Sequence, residues 1–238
     1  MKGVGWLFLF FADGIIHLLS IHYCWIELRY ATKPLLTLLL GLFVFQSLKR
    51  TPLPRIILLS ALGLSGAGDI FLLFEDKQPV CFIPGLACFL LAHIFYIFLF
   101  IKLGKIYPGF RKNPGRPAIP VTIYTLGLFL LIRPGLGALE IPVIIYACAL
   151  AFMLISGLSV FDFSKKAGRF AITGAVLFVI SDSLLAINKF SNPFPEAAIL
   201  VMLTYSLAQF FIASGVCFWI KTKTGANDNT EPGGRRIF

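Results

Sequence analysis

The chain has 238 residues, of which 58% are hydrophobic, 15% aromatic and 13% charged. A soluble domain is about one quarter charged and under half apolar, so these figures exclude a soluble globular fold and imply a polytopic membrane protein. The formal net charge of +10 does not mark a nucleic-acid binder, because the basic residues fall between apolar runs and not in one patch.

A bilayer core takes roughly twenty apolar residues per helix. Eight such spans are predicted, over residues 3–25, 34–48, 55–74, 83–101, 118–132, 139–160, 168–188 and 196–220. The first follows Lys2 but runs past the length of a secretory leader, with no small-residue cleavage site, and is read as a span. Prolines punctuate the connections: Pro52 and Pro54, Pro79, Pro108 to Pro120, Pro134, and Pro193 with Pro195. The segments are too long, and lack the alternation, for a transmembrane β-barrel. The fold class is therefore all-α, a single eight-helix transmembrane domain over residues 1–222. A polar, turn-rich tail over 223–238 reads as disordered.

Orientation follows from Lys and Arg. Sixteen of the 21 lie before the first span, in the even-numbered loops or after the last span. Arg29, Lys33, Lys77, Arg133 and Lys189 alone fall in the odd-numbered loops. Basic residues are retained on the cytoplasmic side, so both termini are expected there, in a bacterial inner (plasma) membrane.

The polar residues at membrane depth carry the chemistry. Asp13 and His17 in the first helix are spaced i,i+4 and share a face, as an ion pair or as part of a site. Lys33 precedes Pro34 at the expected outer mouth of the second helix, where it either snorkels or holds a phosphate. The third helix contains Gly63-Leu-Ser-Gly-Ala-Gly-Asp69, a carboxylate among small residues that admit a close neighbour. The seventh repeats the theme in Ser181-Asp182-Ser183. Charged groups at this depth are costly and mark working sites, and both aspartates are expected in the outer half, facing one cavity. His93 and Tyr96 lie one turn apart on the fourth helix. Tyr146, Asn188, Tyr205 and Gln209 add polar groups from the last three helices.

Several chemistries have no motif. HExxH, GxSxG and a P-loop are all missing, as is a mid-helix lysine in the last spans for a retinal Schiff base. The five cysteines form no CxxC and read as structural thiols, so neither a metal nor another cofactor is expected.

The ordered set resembles the YhhN family of membrane proteins, whose characterised members are lysoplasmalogenases. The resemblance rests on Lys33-Pro34-Leu35, Ser65 through Leu72 with Gly68-Asp69, Ala92-His93 with Tyr96, Pro142 through Tyr146, Gly174 through Phe190, and Tyr205 with Gln209. It implies eight helices and hydrolysis of the vinyl ether of a lysoplasmalogen to a fatty aldehyde and a glycerophospho-alcohol. On that reading Asp69 and Asp182 form the catalytic pair. Lys33, His93, Tyr96, Tyr146, Asn188, Tyr205 and Gln209 contact a lysophospholipid-type substrate or its water. A proton-coupled carrier using the same two aspartates, and a non-catalytic lipid-binding protein, are the competing readings.

Overall fold

The computed structural model describes residues 3–75, 77–106 and 115–228. The chain forms α1 (Val4–His22), α2 (Ile26–Ser47), α3 (Pro52–Leu73), α4 (Phe82–Ile106), α5 (Gly115–Ile132), α6 (Glu140–Val160), α7 (Lys166–Phe190) and α8 (Ala197–Asp228). All eight are long and apolar enough to cross a bilayer, and no strand occurs among the described residues. Single 3-10 turns at Pro79–Cys81, Arg133–Gly135 and Gly137–Leu139 serve as connections.

Boundaries differ from expectation where proline was read as marking a helix edge. The second helix begins at Ile26, not residue 34, and carries Pro34 inside it. Proline forfeits one backbone hydrogen bond there, a loss that packed membrane helices absorb. Pro120 lies inside α5 in the same way. Pro52, in contrast, opens α3 from the first turn, where its missing N–H costs nothing. At the other extreme α8 continues to Asp228, into the stretch expected to be tail. Residues 229–238 of that tail lie outside the described residues, as do Lys2, Arg111 and Lys112 of the basic count.

The most extensively packed helix pair is α7 with α8, followed by α3 with α4 and α1 with α2. At Gly174 an added Cβ would sit 2.5 Å from the Ile212 backbone nitrogen, so only glycine permits this approach. α5 is peripheral, packed on α6 and α7. Phe43, Leu58, Tyr96, Phe100 and Phe178 fill the centre, whereas Phe8, Ile119 and Ile141 point outward. Exposed large apolar side chains on every side suit a lipid solvent, and the chain is an integral membrane protein.

Neighbouring helices alternate in direction. One end of the bundle gathers Gly3 beside Phe43, Gly104 beside Val160, and Phe161 beside Trp219. The opposite end gathers Tyr30 beside Phe74, and Phe82 beside Phe190. Lys49, Arg50, Lys105, Lys165 and Lys166 belong to helix ends and turns of the first end. Arg29, Lys33, Lys77, Arg133 and Lys189 belong to those of the second. The charge segregation read along the sequence thus holds in the folded bundle.

Candidate functional site

A cavity of about 250 Å³ lies at the second end, between the first turns of α2 and α8 and the last turns of α3 and α7. Asp69 and Asp182 both line it, near enough for their charges to interact. Two carboxylates 113 residues apart in sequence therefore share one chamber.

Asp69 is 2% exposed and has a partner on each oxygen. The Tyr205 hydroxyl donates to Oδ2 at 2.6 Å, and Lys33 Nζ lies 3.5 Å from Oδ1. Burying a carboxylate is tolerable only with such partners. Lys33 was expected at the outer mouth, but the early start of α2 places it two turns inside, with its side chain 12% exposed. Its position is that of a counter-ion to Asp69. Gly68 lets α4 close over this region: a Cβ there would lie 2.7 Å from the Phe89 ring, which packs edge-on against Tyr205. Gly66 similarly meets Thr37, whereas Gly63 faces open space and takes no part.

Asp182 is held differently. The Tyr146 hydroxyl donates to Oδ2 at 2.5 Å, and His93 Nε2 lies 3.4 Å from the same oxygen. Among the described residues no hydrogen bond falls on Oδ1, and the side chain is 11% exposed, against 3% for Asp69. His93 is fully buried, its ring edge-on to Phe178 at 4.8 Å, with Nδ1 lacking a hydrogen-bond partner. It stands behind Asp182 and not on the cavity wall.

The remaining predicted residues divide into wall and support. Tyr146, Tyr205 and Asn188 line the cavity. Asn188 Oδ1 accepts the Phe194 backbone N–H at 3.1 Å, tying the α7–α8 connection to the rim. Tyr96 and Gln209 lie off the wall, where the Tyr96 hydroxyl donates to Gln209 Oε1 at 2.5 Å. Gln209 Nε2 and Ser65 Oγ, buried in the same layer, have no partner. Asp13 and His17 are both buried, but His17 Nδ1 pairs with Thr32 Oγ1 at 2.7 Å and Asp13 Oδ2 has no partner. Only His17 reaches the cavity.

Three features escaped the sequence. Arg29 and the Glu75–Lys189 ion pair line the cavity, and the Tyr124 hydroxyl donates to Ser183 Oγ at 2.8 Å beside it. Arg29 precedes Lys33 by four residues, a spacing that would have signalled a shared face had the helix been started earlier. Among the described residues no group of three or more His, Cys, Asp or Glu could hold a metal ion.

Chemically, the chamber offers one carboxyl group with both oxygens engaged and a second with one oxygen open. The model of the YhhN family matches residues 28–216, which include all or most of every helix except α1 and the hydrogen-bond and ion-pair partners of both aspartates. The chain belongs to the YhhN family. It is 34% identical over 157 residues to human lysoplasmalogenase TMEM86B, covering 66% of this chain and 61% of that one. Against human lysoplasmalogenase TMEM86A the identity is 31%, covering 64% and 61%. Pig lysoplasmalogenase TMEM86B is 35% identical, with 66% and 61% covered. The chain thus spans about three fifths of the length of these YhhN relatives. No solved structure matches it.

Proposed function

We propose that this YhhN protein hydrolyses the vinyl ether of lysoplasmalogens, releasing a fatty aldehyde and a glycerophospho-alcohol. The observation that carries the reading is the unequal engagement of the two carboxyl groups in one apolar-walled cavity, Asp69 on both oxygens and Asp182 on one. The names of the relatives support the substrate class.

Vinyl ethers hydrolyse by protonation at carbon, which converts the ether into an oxocarbenium ion. Asp182, through its open Oδ1, is the proton donor. Asp69, fixed by Lys33 and Tyr205, presents a negative charge that stabilises the cation in a medium where charges are strongly felt. Water then adds to the oxocarbenium carbon and returns a proton to Asp182. The resulting hemiacetal collapses to aldehyde and alcohol. Neighbouring carboxyl groups that divide into acid and anion follow a general pattern. Tyr146 and His93 orient Asp182, while Tyr96 and Gln209 brace Tyr205 from behind. The acyl-like alkenyl chain enters sideways among the Phe and Leu residues. In this reading the cavity mouth faces outward from a bacterial inner membrane with both termini cytoplasmic, and the Lys and Arg distribution supports it.

The test is aldehyde release from a lysoplasmalogen by purified protein, alongside Asp69→Asn and Asp182→Asn. Turnover by the wild type that both substitutions abolish is expected. Normal turnover by either folded variant would sink the pair, and no turnover by folded wild type would put the carrier reading ahead.

A further inference from the structure

The cavity wall carries two lysines and one arginine, and the lysines are spoken for. Lys33 pairs with Asp69, and Lys189 with Glu75 while lying 4.3 Å over the Phe82 ring. Arg29 is in no ion pair among the described residues, and its Nε is buried without a hydrogen-bond partner. The third carboxylate of the wall, Asp182, takes Tyr146 and His93. Arg29 is therefore the uncompensated charge of the chamber. A guanidinium half withdrawn from water and lacking an anion costs free energy unless an anion arrives, and its planar fork suits a phosphate.

Position agrees with charge. Arg29 stands one helical turn nearer the mouth than Lys33, which contacts Asp69, so it lies about 6 Å further out along α2. In a 1-alkenyl lysophospholipid five bonds separate the vinyl ether oxygen from phosphorus, about 6 Å when extended at the reach per bond of an open chain. A substrate with its vinyl ether at the aspartates thus brings its phosphate level with Arg29. His17, within electrostatic reach of both Arg29 and Lys33, adds a ring that lines the same side of the mouth.

We infer that Arg29 is the headgroup-phosphate residue of this site, taking the phosphodiester of a lysophospholipid at the mouth while Lys33 remains with Asp69. The inference rests on the lysophospholipid reading for its substrate and on the unpaired guanidinium for its residue.

The test uses full-length protein with a 1-alkenyl-glycerophosphocholine, the corresponding phosphate-free 1-alkenylglycerol, and Arg29→Gln and Arg29→Lys. The wild type is expected to prefer the phosphate-bearing substrate in kcat/KM. Arg29→Gln should reduce that preference about tenfold to a hundredfold, as loss of a charged hydrogen bond predicts. The change should fall on KM, with partial recovery in Arg29→Lys. An undiminished preference in folded Arg29→Gln overturns the proposal. A binding arm separates this from the hydrolase reading: thermal stabilisation by the ester lysophosphatidylcholine, which has no vinyl ether, compared with inorganic phosphate. Stabilisation by the lysolipid that Arg29→Gln loses supports the subsite even if no aldehyde is formed. Equal stabilisation of both proteins, or stabilisation by inorganic phosphate as strong as by the lysolipid, overturns the headgroup assignment.

Discussion

Tyr146 on α6 and Asp182 on α7 are joined by a 2.5 Å hydrogen bond from phenol to Oδ2. With His93 Nε2 near the same oxygen, this leaves the carboxyl group anchored by one side and open on the other. On the proposed mechanism the anchor positions the proton donor without consuming it. Tyr146→Phe removes the donor while keeping the ring beside His93. Asp182 becomes charged as it gives up its proton, and hydrogen bonds to charged groups contribute about 1.5–3 kcal/mol, so kcat/KM for aldehyde release should fall roughly tenfold to a hundredfold. The protein should remain folded by circular dichroism. Undiminished turnover would remove Tyr146 from the mechanism.

Lys33 and Asp69 make a separable prediction about stability. Removing one member of a buried ion pair costs about 3–5 kcal/mol, because the remaining charge has no partner. Lys33→Met should therefore lower the thermal unfolding midpoint in detergent markedly. Lys33→Met combined with Asp69→Asn should recover most of the loss yet stay inactive. Additive losses in the double variant would show that the two residues do not depend on one another.

Much of this was legible in the sequence, and what was not has physical causes. Asp69 and Asp182 stand out because a carboxylate among some twenty apolar residues needs a reason, and the structure puts both on one cavity. The eight spans follow from hydropathy alone. The start of α2 was misplaced because proline is ordinarily found in the first turn of a helix and not in its interior, and packed membrane helices relax that rule. The same error hid Arg29 and set Lys33 at the surface. Tertiary partners were also out of reach: Asp13 and His17 share a face as their spacing dictates, yet His17 turns to Thr32 on α2. The Glu75–Lys189 pair joins helix ends 114 residues apart, a separation no local pattern encodes.

Two glycines give opposite expectations for the same substitution. At Gly174 an added Cβ meets the Ile212 nitrogen at 2.5 Å and the Ala208 carbonyl at 2.8 Å, both backbone atoms that cannot rotate away. Gly174→Ala should force α7 from α8 and destabilise by about 1–3 kcal/mol. At Gly63 nothing lies within 4 Å, so Gly63→Ala meets only the gain in helix propensity, about 0.5–1 kcal/mol of stabilisation. Thermal unfolding of the two variants in one detergent checks both signs. A neutral Gly174→Ala would mean that the α7–α8 contact is looser than its geometry indicates.

The native cysteines can report which way the bundle faces. Cys24 is exposed in the α1–α2 turn, and Cys81 is half-buried in the turn before α4, both at the mouth end. Cys88 and Cys148 lie within α4 and α6, and Cys217 is buried in α8, so a water-confined thiol reagent has little access to them. With Cys81→Ser to leave one reporter, a membrane-impermeant maleimide should label Cys24 in intact spheroplasts if the mouth opens outward. Labelling only after permeabilisation would turn the bundle over and put the cavity mouth on the cytoplasmic side. The more numerous basic residues of the opposite end would then lie outside, an exception to the retention of positive charge inside. Substrate would in that case be drawn from the inner leaflet, where an assay with sealed vesicles and externally added lysolipid should show latency.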